Sequence, residues 1–403
     1  MTDPARPAGG VADRGRDAHD EARVNARIDQ LLAEHTPGDT VAFKGAMYDL
    51  GLANVSFTDG FGGLGVAPGL QRVVTRRVVA AGGPFPTVSI GLGMGAPTVA
   101  EHGTDAQKAR WLRPLFTGEE VWCQLFSEPG AGSDVASLST SAVRDGDEWI
   151  VNGQKVWTSL AHESRWGMLV ARTDPDVPKH RGLTYFICDM HAPGVDVRPL
   201  RQMTGQAEFN EVYLTDVRIP DAHRIGDVGD GWRISLTTLM NERVAIGGGS
   251  FARKSPIDWA IECYRERGGD GVARDEIVRM WVLARVLGLT VQRAGDLARG
   301  GTPGPEGSVA KLLAAEYNKA AFSLAMNLAG PEATLYPSGY EMDRSKDAFG
   351  YQSVQEWFLR CRANSIEGGT SEVMRNILGE RVLGLPGDVR VDKEIPWREV
   401  PRS

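Results

Sequence analysis

The spacing of apolar residues changes twice along this 403-residue chain, and the two changes divide it into three parts. Over residues 24–117 the apolar residues recur every three or four positions, as they do along amphipathic helices. From about Glu120 the chain instead carries short runs rich in Val, Ile, Trp, Tyr and Phe between turn signals, which is typical of strands. Helical spacing returns at Gly231. The pattern predicts an α+β protein with an N-terminal helical domain, a central antiparallel β domain and a C-terminal domain resembling a four-helix bundle.

The boundaries of these parts follow from the shifts in composition. The strands predicted within the β domain are Val121–Phe126, Trp149–Val151, Gly167–Ala171, Leu183–Cys188, Val195–Leu200 and Glu211–Ile219. Because no helical pattern lies between them, they favour an antiparallel barrel or sandwich. The predicted organisation is a loose tail at 1–22, a helical domain at 23–119, the β domain at 120–226, a second helical domain at 227–386 and a mobile charged tail at 387–403.

Charge, cysteine content and hydropathy exclude several classes of protein. The formal net charge of −7 argues against a nucleic-acid or anionic-membrane binder, since either normally carries a basic excess. The four cysteines lie far apart without a CxxC pair, which disfavours a zinc ribbon, a dithiol motif and a disulfide scaffold. The seven histidines form neither HxxxH nor HxH, so we expect no metal site. The sequence shows no signal peptide and no apolar run of about 18 residues, so we expect a cytoplasmic protein without a membrane span.

A glycine-rich run at Gly60–Gly65 fits the GxGxxG pattern of dinucleotide sites but lacks the required context. Such a fingerprint follows a buried strand, opens a helix and precedes an acidic residue about 20 positions on. The preceding segment is polar, and no Asp or Glu occurs between Asp59 and Glu101. We therefore interpret this run as a turn.

Two blocks of sequence carry the strongest functional signal. Leu125–Asp134 reads LFSEPGAGSD, in which two glycines allow backbone N–H groups to approach a ligand closely. Asn152–Ser159 reads NGQKVWTS, a hairpin turn followed by an aromatic side chain and two hydroxyls. Together with Asp216–Pro220, Asn241–Arg243 and Gly368–Val373, these blocks resemble the acyl-CoA dehydrogenase family over residues 45–386. That family's fold agrees with the helix–β–helix order.

The resemblance implies an FAD-dependent enzyme that converts an acyl-CoA thioester to the trans-2-enoyl thioester. It further implies that the electrons pass to an electron-transfer flavoprotein, and that the thioester carrier is CoA or an acyl carrier protein. By position, Phe126 and Ser127 would line the flavin, Trp157 would cover the isoalloxazine ring, and Ser159 would lie near the N5 side of that ring. Taken singly, Trp157 reads as a core tryptophan and the two serines as turn residues, so their joint occurrence carries the inference.

The resemblance also implies contacts for the rest of the two ligands. Thr370 and Glu372 would meet the FAD phosphate or ribityl region, where helix N–H groups favour anionic oxygens. Ser133 would lie along the thioester and pantetheine channel, and Arg243 would assist the CoA moiety. Arg267 matches an arginine that contacts the FAD of a neighbouring subunit, which implies a homodimer or homotetramer.

Two glutamates compete for the role of catalytic base. In one branch of the family the base directly precedes the Gly-Thr of the C-terminal motif, where this chain has Gly368, with Glu367 one residue earlier. In another branch the base directly precedes an Arg in the first C-terminal helix, as Glu242 does here. Leu239 and Glu242 lie three residues apart, on one face with the apolar stripe Trp232, Leu236 and Met240. We therefore favour Glu242 over Glu367, with the Gly368 N–H and an FAD ribityl hydroxyl holding the thioester oxygen.

Three segments depart from the family pattern near the adenosine end of FAD: Gly268–Gly271, Asn327–Pro331 and Leu359–Cys361. We expect that end of the cofactor to be held differently, which would suit a chain working beside a non-identical partner subunit. The alternative functions are a flavin oxidase or monooxygenase on the same scaffold, a weakly active subunit of a hetero-oligomeric dehydrogenase, and a non-catalytic or nucleic-acid-binding relative. The presence of Glu242 and the acidic net charge speak against the last of these.

Overall fold

The computed structural model of the chain describes two compact units. The first comprises Met1–Leu92 and Ala96–Val121, and the second comprises Gly93–Gly95 and Trp122–Ser403. Within them, the described residues are 11–84, 89–247, 254–299, 306–337, 339, 341–344, 350–387, 389 and 391–401. The side chains at 11–17, 243–247, 295–296 and 298–299 lie outside the description.

The first unit is helical, as the sequence predicts. Its α-helices are α1 (Val11–Glu34), α2 (Val41–Asp49), α3 (Gln71–Ala80), α4 (Ala96–His102) and α5 (Asp105–Thr117). One face of α1, with Ile28 and Leu31, packs on Phe43 of α2 and Val74 and Val78 of α3 to form the core. The run Gly60–Gly65 is a turn with positive φ at three of its glycines, which confirms that interpretation.

The start of α1 differs from the prediction. Residues 11–22 are helical, although the sequence analysis placed them in a loose tail. The segment has almost no apolar residues, so the periodicity that marks a buried helix face is absent there. It does, however, contain three Ala and two Arg residues, which favour helix intrinsically, and it continues a helix whose later turns are packed.

The centre of the second unit is one eight-stranded sheet. Its strands are β1 (Trp122–Leu125), β2 (Ser141–Asp145), β3 (Glu148–Ser159), β4 (Trp166–Arg172), β5 (Leu183–Asp189), β6 (Val195–Leu200), β7 (Phe209–Pro220) and β8 (Arg224–Ile225). The order is β6-β7-β3-β2-β4-β5-β8, with β1 also paired to β4. All pairings are antiparallel except β1–β4 and β2–β4, which are parallel.

The six predicted strands are confirmed, and β2 and β8 are additional. Strand β2 escapes the sequence pattern because only Ala142 along it is buried, so it lacks an alternating apolar face. Strand β3 is much longer than predicted. The prediction ended it at Val151 because the following residues are mainly polar and include Lys155, which is buried in the structure. The core of the sheet gathers buried apolar side chains from six strands, among them Leu125, Val151, Leu169, Phe186 and Val212.

The helices that follow the sheet pack around one central helix. They are α6 (Gly231–Gly247), α7 (Pro256–Arg267), α8 (Gly271–Arg299), α9 (Glu306–Ala329), α10 (Val354–Arg360) and α11 (Ser371–Arg381). Helix α9 contacts each of the other five. Its apolar face, with Tyr317, Phe322 and Ala325, forms the core of this domain together with Ile257 and Ala260 of α7. The α+β class and the helix–β–helix order are therefore as predicted, and none of the described helices is long and apolar enough to cross a membrane.

The buried face of α6 is not the one that the apolar stripe predicted. Leu236 and Met240 are exposed, whereas Ile234, Ser235 and Thr238 are fully buried. The Thr238 hydroxyl lies 3.2 Å from the Tyr185 hydroxyl of β5, and the Ser235 hydroxyl donates to the Gly231 carbonyl. Small hydroxyl side chains bonded in this way let the helix approach the sheet closely, so the polar residues face inward.

A buried ion pair joins the two sequence blocks of the β domain. Lys155 of β3 is fully buried, and its Nζ donates to the Phe126 carbonyl (3.1 Å), the Val170 carbonyl (2.9 Å) and Glu128 Oε1 (2.8 Å). The Glu128 carboxylate also accepts from the backbone N–H groups of Ser139 and Thr140. Burial would raise the pKa of Glu128, but the Lys155 ammonium and these hydrogen bonds lower it below its usual range. Burial lowers the pKa of Lys155, while the Glu128 carboxylate acts in the opposite direction.

Removal of the lysine from this pair should be strongly destabilising. We expect Lys155→Met to lower the free energy of unfolding by about 3–5 kcal/mol, since it leaves the Glu128 carboxylate buried beside an apolar side chain. The double variant Lys155→Met/Glu128→Gln should lose less than the sum of the two single variants. Urea denaturation followed by circular dichroism measures all three. A loss below about 1 kcal/mol for Lys155→Met would show that the pair does not hold the two blocks together.

Candidate functional site

Trp157 stands out because it is a large, exposed aromatic residue on a strained backbone. The pairing of β3 with β7 shifts register between Lys155 and Thr158, and Trp157 adopts φ 60° within that irregularity. Such a conformation is rare for a bulky side chain and is kept where the surrounding structure enforces it, often at ligand sites. The ring is 60% exposed and meets Phe209 edge-on at 5.9 Å, so the rest of its surface is open to a ligand.

The end of β1 lies directly beside this residue. The backbone N–H of Val156 donates to the Ser127 carbonyl (2.9 Å), and Lys155 holds the carbonyl of Phe126. Ser127 is half-buried at the start of the loop. The Phe126 ring instead points into the core, where it meets Tyr185 edge-on at 5.9 Å. The structure thus brings Ser127 next to Trp157, while the Phe126 side chain is buried in the core.

The other end of the irregular segment carries two hydroxyl side chains. Ser159 is half-buried and pairs with Phe209 in the β3–β7 register. Thr158 is fully buried, and its hydroxyl has no hydrogen-bond partner among the described residues. The predicted neighbours Ser127, Trp157 and Ser159 therefore lie close together, on the segment that follows β1 and on the irregular part of β3.

The start of α11 offers a second set of polar groups. Gly368 and Gly369 have φ values of 63° and 92°, and the Thr370 hydroxyl caps the helix by accepting from the Val373 N–H (3.1 Å). Ser371 is buried, and its hydroxyl has no partner among the described residues. Glu372 is exposed and ion-paired with Arg375 at 3.2 Å. Free N–H groups and an unsatisfied hydroxyl at a helix N-terminus suit an anionic oxygen.

The two candidate bases have different surroundings. Glu242 is half-buried on α6, on the face of Ser235 and Thr238, and its Oε2 accepts from Gln124 Nε2 of β1 at 3.3 Å. Glu367 is held by both nitrogens of the Arg360 guanidinium, at 3.1 and 2.7 Å, and by the Asn364 amide at 2.7 Å. Both oxygens of Glu367 are therefore engaged by donors of the protein.

Arg360 is a site residue that the sequence analysis passed over. Its side chain is buried on α10, and burial alone would lower the pKa of the guanidinium. The Glu367 carboxylate outweighs that effect and raises the pKa above its usual range. Arg360 lies within the segment that departs from the family pattern, which is the one signal the sequence offered for it.

Lys311 is a second residue that sequence reasoning missed. It is buried on α9, and its Nζ donates to the Gly369 carbonyl of the turn before α11. Burial lowers the pKa of Lys311, while the nearby carboxylates of Glu367, Glu242 and Glu372 act in the opposite direction. The sequence signal was a lysine between the buried positions Ser308 and Ala315, on the inward face of a helix.

The remaining predicted residues are Ser133, Arg267 and Arg243. Ser133 is exposed on the loop between β1 and β2. Arg267 ends α7 and forms an ion pair with Glu332. The side chain of Arg243, on α6, lies outside the described part of the chain. Among the described residues no cluster of His, Cys, Asp and Glu could hold a metal ion.

Models of one protein family match nearly the whole chain. They are the N-terminal domain of acyl-CoA dehydrogenases at residues 19–119, the middle domain at 123–217 and the C-terminal domain at 229–383. The residues gathered around Trp157 and α11 lie within the middle and C-terminal matches.

Similar proteins carry the same family name. The chain is 36% identical over 397 residues to acyl-CoA dehydrogenase IpdE1 of Mycobacterium tuberculosis, covering 92% of this chain and 99% of that protein. It is 42% identical over 325 residues to acyl-CoA dehydrogenase FadE34 of the same organism, covering 80% of this chain but only 43% of FadE34. Among solved structures, a chain of the ChsE4–ChsE5 complex from Mycobacterium tuberculosis is similar with a TM-score of 0.68, 28% identity and coverage of 95% and 100%. The "Tcur3481-Tcur3483 steroid ACAD" shares the fold with a TM-score of 0.71, 24% identity and coverage of 94% and 99%.

Proposed function

The chain belongs to the acyl-CoA dehydrogenase family, whose members are FAD-dependent oxidoreductases acting on CH–CH bonds, and we propose that Glu242 is its catalytic base. The reaction is the oxidation of an acyl-CoA thioester to the trans-2-enoyl thioester. The observation that supports this assignment is that Glu242 is half-buried beside an amide donor, whereas the competing Glu367 forms a bidentate ion pair with Arg360.

The residues around Trp157 and α11 fit the cofactor. An exposed aromatic ring on strained backbone suits a planar flavin, and the orphaned Ser371 hydroxyl at the α11 N-terminus suits an anionic or hydroxyl oxygen. Trp157, Ser127 and Ser159 would hold the ring, and Thr370 and Ser371 would hold the chain that leads from it. When bound, FAD supplies the acceptor for the hydride that leaves the β-carbon of the substrate.

The base acts on the carbon beside the thioester carbonyl. Glu242 removes the α-proton, so that the C–H electron pair forms the new double bond as the β-hydrogen leaves as hydride. The Gln124 amide, which donates to Glu242 Oε2, fixes the direction of the carboxylate before the proton moves. Glu242 is half-buried on α6, so its carboxylate has limited contact with water. A carboxylate base needs such partial exclusion of water.

The negative charge that develops on the thioester oxygen needs a fixed donor. The Gly368 backbone N–H, in the turn before α11, would supply one. Lys311 holds that turn from below through the Gly369 carbonyl, and its ammonium lies near the Glu242 carboxylate. Lys311 therefore positions the oxygen-binding turn.

Substitution of the two glutamates separates their roles. We expect Glu242→Gln to lower kcat on the order of 10²–10⁴-fold, since the amide cannot accept the α-proton, while the purified protein stays yellow with bound FAD. Steady-state turnover against a panel of straight, branched and ring-bearing acyl-CoAs measures the loss and identifies the preferred acyl group. The absorbance of oxidised flavin per chain confirms that the cofactor is retained.

Glu367→Gln is the matched control. It breaks the bidentate pair with Arg360, so we expect a lower melting temperature but a kcat within about tenfold of the unaltered protein. If Glu242→Gln keeps its activity and Glu367→Gln loses it, the assignment of the base is wrong.

We further propose that the electrons leave to an electron-transfer flavoprotein, as the family resemblance implies. A dehydrogenase of this kind reacts slowly with oxygen, whereas a flavin oxidase reacts rapidly. We expect stopped-flow mixing of the substrate-reduced protein with air-saturated buffer to give slow reoxidation, and mixing with an electron-transfer flavoprotein to give fast reoxidation. Rapid reaction with oxygen would instead assign the chain to the oxidase class.

Helix α8 supplies the surface for a subunit interface. Its inward face, with Ile277, Met280, Leu283 and Leu287, packs on the domain core. Its outward face also carries apolar side chains at helical spacing, which are exposed: Val278, Trp281, Val282, Val286 and Leu289. A stripe of this kind on a 29-residue helix is typical of a protein–protein interface. We propose that a second copy of the chain covers it.

A charge placed in this stripe should dissociate the assembly. We expect Leu289→Lys to convert a homodimer or homotetramer to monomers in light scattering coupled to size exclusion, because the interface would bury an unpaired ammonium. Val143→Lys in β2 is the control, since Val143 and Leu289 are each 64% exposed. A chain that is monomeric on its own and assembles only with a homologous subunit would replace the homo-oligomer with a hetero-oligomer, an arrangement for which the ChsE4–ChsE5 complex is a precedent.

A further inference from the structure

The loop from Glu128 to Thr140 carries Ser133 at its exposed tip and is fixed at both ends. At its base, the Glu128 backbone pairs with Ala131, and the Glu128 carboxylate accepts from the N–H groups of Ser139 and Thr140 at 2.6 and 2.9 Å. These contacts close the loop on itself. They leave Gly130, Gly132 and Ser133 exposed.

Arg172, at the end of β4, holds the descending side of this loop. Its side chain is buried, and it donates to the carbonyls of Ala136 (2.6 Å), Leu138 (3.1 Å) and Lys179 (3.2 Å). The guanidinium thereby ties the loop to the neighbouring connection between β4 and β5. Arginine suits this task because its planar fork presents several donors in fixed directions.

The C-terminal segment covers the same arginine from outside. The Trp397 ring stacks on the Arg172 guanidinium at 4.2 Å, and the Trp397 indole N–H donates to the Ser137 carbonyl at 3.3 Å. The carbonyls of three consecutive loop residues, 136, 137 and 138, are thus held by Arg172 and Trp397 together. The segment that the sequence predicts to be a mobile tail is therefore packed on the β domain over its described residues 391–401.

Two further contacts hold the C-terminal segment, one through Asp392 and one through the backbone of Trp397. Lys179 Nζ bridges Asp134 of the loop (2.7 Å) and Asp392 of the C-terminal segment (2.5 Å). Burial alone would lower the pKa of Lys179, but the two carboxylates raise it above its usual range, so the bridge is charged at neutral pH. The backbone N–H of Trp397 also donates to the Val177 carbonyl at 2.9 Å.

From this arrangement we propose that residues 391–400 form a C-terminal strap that positions the Ser133 loop for binding of the thioester. The proposal rests on the proposed function and on the family resemblance, which implies that Ser133 lies along the thioester and pantetheine channel. The strap contacts Asp134, the residue directly after Ser133, through Lys179, and it holds the carbonyls from 136 to 138 together with Arg172. It acts on the substrate only through this loop, so Trp397 and Asp392 are positioning residues.

Trp397→Ala in the full chain tests the strap with two measurements. We expect amide hydrogen exchange at Ser137 and Leu138 to become about tenfold faster, since the variant loses one cation–π contact and one hydrogen bond. We expect KM for the acyl-CoA to rise about tenfold with kcat little changed, because a misplaced loop weakens binding of the substrate and transition state alike. Trp397→Phe keeps a ring on Arg172 and should restore most of both effects.

Arg398→Ala is the matched control, since Arg398 neighbours Trp397 but pairs with Asp176 outside the loop. It should leave exchange and KM unchanged, whereas Asp392→Asn should shift both in the direction of Trp397→Ala. Unchanged exchange in Trp397→Ala would show that the strap does not hold the loop. Faster exchange with an unchanged KM would show that the held loop has no part in thioester binding. If the unaltered chain oxidised no acyl-CoA, the proposed function would fail, and the positioning role would fail with it, whatever the exchange rates.

Discussion

The buried ion pair of Lys155 and Glu128 is the constraint on which the candidate site depends. An ammonium with no exposure to water needs its full set of hydrogen bonds, and Lys155 obtains them from Glu128 and from the carbonyls of Phe126 and Val170. Those partners belong to the end of β1, to the loop that follows it and to β4. Because the charge is satisfied only when all three meet it, the pair fixes the end of β1 against the irregular part of β3. Ser127 and Trp157 are neighbours for this reason.

The two glutamates differ in the groups that hold them. Glu367 directs its oxygens to Arg360 and Asn364, so its function is to anchor the turn before α11 to α10. Glu242 accepts a hydrogen bond from the Gln124 amide, which orients the carboxylate. Lys311 lies near the carboxylates of both Glu242 and Glu367, and its Nζ donates to the Gly369 carbonyl. A buried lysine on the central helix therefore links the packing of α9 to the turn before α11.

The fold could be predicted from the sequence because its main features produce local sequence patterns. Alternating apolar residues mark strands such as Val195–Leu200, whose predicted and observed bounds coincide, and three-to-four spacing marks the helices. Two motif blocks located Ser127, Trp157 and Ser159. The sequence did not predict the buried face of α6, because that face is built from Ser235 and Thr238. Hydroxyl residues are expected on the surface unless their hydrogen-bond partners, here Gly231 and Tyr185, are known. The sequence did not point to Arg360 and Lys311 for a related reason. Their roles depend on carboxyl and carbonyl groups that lie elsewhere in the sequence.

The C-terminal segment shows most clearly why such contacts escape a reading of the sequence. Residues 391–401 contain few apolar side chains at a regular spacing, and a charged, aperiodic end is typical of a mobile tail. Its attachment comes instead from single side chains that complete sites already formed by the β domain: Trp397 covers a guanidinium whose donors are engaged, and Asp392 joins a lysine that Asp134 has already bound. Each contact is weak by itself, but the loop they meet is already closed by Glu128, so little conformational freedom remains to be lost on docking. The buried ion pair thus also accounts for how an unpatterned segment can be ordered on this domain.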